Sequence, residues 1–62
     1  SSEAAESLVE ALFSTNNRLS AVAASTLTAL CDISKNRENL RQVVENQRLE
    51  KWQRTMIEPF VR

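Results

Sequence analysis

The feature that most constrains the fold of this chain is the complete absence of glycine, combined with a single proline at position 59. Glycine and proline interrupt helices more strongly than any other residues, and glycine supplies the positive φ that tight hairpin turns need. A chain with no glycine and only one proline, close to its end, forms strand connections with difficulty and keeps its helical runs uninterrupted. The sequence therefore predicts an all-α protein.

The longest regular pattern lies in residues 17–36, where apolar residues recur at steps of three and four. That spacing predicts a helix with one buried stripe, formed by Leu19, Val22, Ala23, Leu27, Leu30 and Ile33. We expect this helix, at 17–35, to lie between its two amphipathic neighbours as their shared inner wall. The side left over after the apolar stripe is assigned is the predicted binding surface for a protein partner: Arg18, Ser25, Thr28, Asp32 and Lys35.

The first helix is predicted at 2–14. Ser1 or Ser2 is expected to cap its first amides, and Glu3 and Glu6 lie where the helix dipole favours negative charge. The polar run Ser-Thr-Asn-Asn at 14–17 should end this helix, because asparagine tolerates the conformation of a helix end and caps the helix that follows.

In the last third of the chain, the apolar residues of the first part and those of the second part would lie on opposite sides of a single helix. At about 100° per residue, the apolar residues of 40–44 lie nearly opposite those of 49–60. One straight helix would need burial on both sides in succession, so we predict a break between Glu45 and Arg48 and two helices, at 37–46 and 48–61. Pro59 should weaken or end the last one. The second apolar set is assigned either to the core or to a self-association surface: Leu49, Trp52, Met56 and Phe60.

No residues suggest catalysis or a bound cofactor. Cys31 has no histidine to activate it, and neighbouring Asp32 disfavours the thiolate. The serine and threonine hydroxyls lack a partner base, and phosphate-binding loops need glycine. The three glutamates before residue 11 are explained by the helix dipole rather than by a metal site. We therefore expect no enzyme activity, no cofactor, no metal and no small-molecule substrate.

The charges do not point to nucleic acid or to a membrane. Eight basic residues balance eight acidic ones, so no overall field attracts either partner. Trp52 has Arg48, Lys51 and Arg54 around it and could form a basic stacking platform, but its helical spacing favours a role in packing. A single free thiol without a secretory signal, and the lack of a long apolar run, predict an intracellular protein, cytoplasmic or nuclear.

The pattern of segments resembles the armadillo repeat. Residues 8–12, Leu-Val-Glu-Ala-Leu, stand where that family has L-V-x-L-L, and Ala23-Ala24 followed by Leu27 and Leu30 match part of V-x-x-A-A-x-x-L-x-x-L. Residues 36–45 match N-x-E-N-x-x-x-I-V-E most closely. The glycine that bends the armadillo unit is replaced by the region of Asn46-Gln47, and the related HEAT repeats also lack it.

The resemblance implies a short right-handed helical-repeat segment of three to four helices spanning residues 1–62. About one and a third repeats would be present, whereas about three must stack for stability, so we expect a fragment of a longer solenoid. Ser25 and Ala29 stand where peptide-binding repeats carry tryptophan and asparagine, which argues against binding of basic extended peptides.

The expected function is non-enzymatic: a protein–protein interaction segment of a scaffold or adaptor, whose partner is another protein or further repeats of the same chain. Two alternatives stay open. One is an autonomous small bundle that homodimerises through the set at 49–60 as a regulatory domain. The other is nucleic-acid binding through the basic C-terminal third.

Overall fold

The computed structural model of the chain describes residues 2–62, apart from the side chain of Ser2. The cap predicted from Ser1 or Ser2 lies outside these described residues. Within them the chain is all-helical and has no strand, as predicted. The four helices are α1 (Ser2–Leu12), α2 (Asn17–Leu30), α3 (Ser34–Glu45) and α4 (Lys51–Val61).

The inner positions of the bundle belong to α1 and α3. The closest neighbours of α1 are α2 and α3, and α4 packs on α3. The expectation that the helix starting at Asn17 forms the shared inner wall is therefore wrong. Only one side of α2 meets its neighbours, through Ala23 and Leu27, which are almost completely buried.

All four helices contribute to a single small core. In the described part of the chain, no polar or charged side chain is buried, so the core is held by apolar packing. Its buried members are Val9, Leu12, Ala23, Leu27, Cys31, Leu40, Val43 and Ile57.

The turn between α1 and α2 is built by polar side chains, as predicted. The Asn16 side chain accepts hydrogen bonds from the amides of Arg18 (3.1 Å) and Leu19 (3.2 Å), and it thereby caps α2. The Ser14 hydroxyl accepts a hydrogen bond from the Asn16 amide at 3.0 Å. These bonds hold the backbone of the turn without glycine.

The end of α2 differs from the prediction, because the helix stops at Leu30 rather than at residue 35. Two side chains of α3 reach back to its last carbonyl groups. Asn36 Nδ2 donates to the Leu30 carbonyl at 2.8 Å, and Arg37 Nη1 donates to the Cys31 carbonyl at 3.0 Å. Because these carbonyls are satisfied from outside the helix, a turn at 31–33 replaces further helical bonds.

The predicted break in the last third is confirmed. Helix α3 ends at Glu45 and α4 begins at Lys51, and the corner occupies residues 46–50. Asn46 has φ −86°, so the corner needs no left-handed residue in place of the missing glycine. At the start of α4, the Gln53 side chain accepts a hydrogen bond from the Glu50 amide at 2.8 Å, as part of a capping box. The helix continues past Pro59 to Val61, so the proline does not end it there.

Candidate protein-binding surface

The most unusual feature of the surface is a group of large apolar side chains along α2. Their exposed fractions are 46% for Leu19, 58% for Val22, 41% for Leu30 and 59% for Ile33. Leu19, Val22 and Leu30 fall within an arc of about 80° on α2, and Ile33 lies in the turn just beyond it, at the N-cap of α3. These four residues are termed the α2 face. Their predicted burial is wrong, because the apolar stripe of α2 is wide and the neighbouring helices cover only the part that holds Ala23 and Leu27.

The α2 face lies on a helix with very little charge. Arg18 is the only charged residue of α2, whereas the exposed side of a surface helix normally carries several. The hydroxyls of Thr26 and Thr28 donate to the carbonyls four residues earlier, both at 2.8 Å. Because both hydroxyl groups already donate within the helix, these two threonines make the surface of α2 less polar than their composition suggests.

The predicted partner-binding residues are all exposed, but they do not form one helix face. Arg18, Ser25 and Thr28 lie on α2, Asp32 lies in the turn that follows, and Lys35 belongs to α3. Helical periodicity places Arg18 and Ser25 along one edge of the α2 face. Among the described residues, neither Arg18 nor Asp32 takes part in an ion pair. Two of the five, Arg18 and Ser25, therefore lie beside the apolar residues of α2, and the other three lie on its far side, in the turn and on α3.

The same edge of α2 carries small side chains at four-residue spacing. Ala21, Ser25 and Ala29 are exposed, and residues four apart share one side of a helix. Small side chains there allow another helix to approach the α2 backbone closely. A hollow of about 170 Å³ extends the surface on the other side, beside Leu30, and it is bordered by Leu8 and Leu40.

The second candidate set, at 49–60, is divided by the structure. Leu49 and Phe60 pack partly buried against the core, whereas Trp52 is 49% exposed and Met56 is 36% exposed. The side of α4 that enters the core is centred on Ile57, which the sequence analysis did not select. Ile57 lies three residues before Phe60 and four before Val61, and this helical spacing could have identified it as a core residue.

Trp52 is held at the surface by two contacts. Its ring forms an edge-to-face contact with the ring of Phe13, at a centroid distance of 5.6 Å and an interplanar angle of 71°. Its indole Nε1 donates to the Glu50 carboxylate at 2.9 Å. The nearby Arg54 is also occupied, since its guanidinium donates to the Leu49 carbonyl at 2.6 Å. A carboxylate beside the indole works against a stacking site for nucleic acid, because phosphate groups would be repelled there.

Cys31 lies buried in the core, with its side chain close to the end of α2. Burial raises the pKa of the Cys31 thiol, Asp32 raises it further, and Arg37 opposes the shift. The thiol form is therefore favoured, which is the opposite of what a nucleophilic cysteine needs.

The remaining chemistry of the described chain is sparse. Residues 2–62 contain no cluster of three potential metal-ligating side chains. Among the described helices, none has both the length and the apolar character that crossing a bilayer requires.

Comparisons with family models, with curated proteins and with solved structures found no match for this chain. The resemblance to armadillo and HEAT repeats therefore stays a prediction.

Proposed function

We propose that this chain is a non-catalytic protein-interaction segment that binds a helix of another polypeptide along α2. The observation that supports it is the α2 face, four large apolar side chains that are 41–59% exposed, three of them on a helix with one charged residue and the fourth, Ile33, in the turn that follows it. Exposed apolar surface of this kind is retained at binding sites, because elsewhere it promotes aggregation.

The energetics define the kind of partner. Burying the exposed half of a leucine, valine or isoleucine gains about 1 kcal/mol, so the four side chains together supply about 4 kcal/mol. Association costs about 4–15 kcal/mol in lost freedom of motion and ordering. The partner must therefore bring apolar residues of its own, and an amphipathic helix presents them in a stripe that fits a helical surface.

The wider role follows from the sequence resemblance. A helical-repeat scaffold or adaptor holds its partners through exposed helices, and this segment would contribute α2 to such a surface inside the cell, in the cytoplasm or nucleus. The two alternatives have less support. Homodimerisation through the set at 49–60 is less supported because Leu49 and Phe60 pack partly buried against the core. Nucleic-acid binding is less supported because the Glu50 carboxylate lies beside the Trp52 indole.

Site-specific photo-crosslinking in cells that produce the protein tests this proposal. A benzophenone amino acid is placed at Val22, which is 58% exposed, and at Glu10, an exposed control position on α1. We expect irradiation to link the Val22 variant to a polypeptide, and peptide mapping to place the adduct on the apolar side of a helix.

The control variant should give little or no adduct at the same expression level. Equal crosslinking from both positions, or no adduct from Val22, would contradict the proposed function.

A further inference from the structure

We propose that the last part of the chain is a hinged arm, which detaches from the other three helices as one unit while they stay folded. The α4 arm comprises residues 48–62 and contains α4. This inference does not depend on the proposed binding surface of α2. It is carried by the way in which the arm is attached, through one hydrogen bond and the smallest share of the core among the four helices.

Hydrogen bonds join the α4 arm to the rest of the molecule at one point. Arg41 Nε of α3 donates to the Val61 carbonyl at 2.6 Å. In the described chain, no backbone hydrogen bond and no ion pair links residues 48–62 to earlier residues. Of the hydrogen bonds described for residues 2–62, detachment of the arm therefore requires the loss of this one.

The other polar contacts of the α4 arm lie within it. Glu50 and Gln53 form the capping box at the start of α4, and Arg62 Nε lies 2.9 Å from a carboxylate oxygen of Glu58. Because both partners of each contact belong to the arm, neither contact has to break when α4 leaves α3.

The apolar attachment of the arm is also small. Ile57 is the one fully buried side chain of α4, whereas α1, α2 and α3 each bury two among the described residues. Leu49, Phe60 and Val61 are only partly buried, and the neighbour on which α4 mainly packs is α3. Exposing the apolar side of α4 therefore costs less free energy than dispersing the whole core.

The corner between α3 and α4 supplies a hinge. The amides of Asn46 and Gln47 complete the last turn of α3, and the amide of Glu50 is bound by Gln53 of α4. Between them, residues 48 and 49 make no backbone–backbone hydrogen bond in the described chain. Rotation at these two residues separates the helices, and neither helix loses the contacts of its end.

Detachment has two consequences. It exposes Ile57, Phe60 and the part of the core that they cover, so the open molecule presents an apolar surface that the closed one conceals. An isolated helix of 11 residues is only marginally stable in water. The amides of α4 therefore exchange with solvent while the arm is detached, and they share one opening equilibrium.

Hydrogen exchange of the purified full chain, followed by NMR at low urea concentrations, tests the inference. The amides of residues 55–60, apart from Pro59, which has none, should show one common opening constant and one common urea dependence. This opening constant should exceed those of the Val9 and Leu40 amides by about tenfold or more. Equal opening constants in the two groups would mean that α4 opens only when the whole chain unfolds, and would overturn the inference.

Asn16→Ala separates detachment of the arm from global unfolding. The Asn16 side chain caps α2, and this cap is lost on global unfolding but kept when the arm alone detaches. The variant should therefore raise the opening constants of the Val9 and Leu40 amides by about fivefold and leave those of α4 unchanged. Equal acceleration in α4 would contradict the independent arm.

Two substitutions outside the arm separate detachment from fraying. Arg41→Met removes the bond at the end of α4, and Phe13→Leu removes the ring contact with Trp52 near its start. Each should raise the opening constants at 55–60 uniformly, by about two- to tenfold, whereas Arg48→Met, at an exposed position in the corner, should not. Acceleration confined to the end nearest each substitution would show independent fraying and would overturn the inference.

Discussion

The single thiol, Cys31, shows how one buried side chain links stability to pH. Burial raises its pKa in the folded chain, and the opposing effect of Arg37 is smaller. A group whose pKa is raised by folding stabilises the fold fully below its unfolded pKa, and this contribution is lost as pH rises through the folded value. Cys31 should therefore make the protein less stable in alkaline solution.

We predict that the free energy of unfolding falls more steeply for the natural chain than for Cys31→Ala between roughly pH 7 and pH 10, the range over which a thiol ionises. Urea denaturation under reducing conditions measures both chains at each pH. All other titrating groups are the same in the two chains, so the difference between their pH profiles isolates the contribution of Cys31. Parallel pH profiles of the two chains would show that Cys31 ionises as freely in the folded protein as in the unfolded one.

At the scale of the elements, side chains of α3 hold the C-terminal ends of two other helices, α2 and α4. Asn36 and Arg37 take the last carbonyls of α2, and Arg41 does the same for α4. Arg41 Nε donates to the Val61 carbonyl at 2.6 Å and so joins α3 to the end of α4. A positive charge at a helix C-terminus also opposes the helix dipole favourably. The attachment of the final turn thus depends on one side chain twenty residues earlier.

Replacement of Arg41 by methionine, which keeps the aliphatic stem and removes the donors, should loosen the end of α4. We expect a loss of about 1 kcal/mol in the free energy of unfolding, since the bond is charge-assisted but only partly buried. Faster amide hydrogen exchange at Phe60 and Val61 is the direct measurement.

Arg48→Met is the matched control. Arg48 is exposed in the corner between α3 and α4, and its side chain makes no hydrogen bond to the rest of the described chain. Equal exchange rates in the two variants would mean that Arg41 does not hold α4.

For the molecule as a whole, the small core makes each buried side chain a large part of the total stability. Ile57 is 2% exposed and is the only residue of α4 that is fully buried among those described. A chain of 62 residues has a total stability of about 3–9 kcal/mol at typical values per residue. Truncation of the Ile57 side chain should therefore remove a large part of the stability of the whole bundle.

We predict that Ile57→Ala lowers the free energy of unfolding by about 2–4 kcal/mol, through lost burial and the cavity that remains. Its neighbour Met56 is 36% exposed, so Met56→Ala should cost about 1 kcal/mol or less. Chemical denaturation of the two variants measures the difference. Similar losses at both positions would place the buried side of α4 at 56 rather than at 57.

The helical class and the corner before α4 were determined by the sequence itself. Glycine is absent, and the apolar residues of 40–44 and 49–60 point in opposite directions, so no straight helix could bury both. The exposure of the candidate surface was also predicted. Arg18, Ser25, Thr28, Asp32 and Lys35 were selected as exposed residues, and all five are exposed, but only Arg18 and Ser25 lie beside the apolar residues of α2.

Tertiary structure alone decided which apolar residues are covered and where α2 stops. Helical periodicity identifies the apolar residues of a helix but not which of them meet a neighbour. It could not separate Ala23 and Leu27, which are buried, from Leu19 and Val22, which are exposed. The end at Leu30 depends on Asn36 and Arg37 folding back onto its carbonyls, a contact that spacing along the chain does not encode. The same applies to α4, where the position of α3 buries Ile57 and leaves Trp52 half exposed. A helix can present apolar residues in several directions, and only the placement of its neighbours determines which of them become core and which remain for a partner.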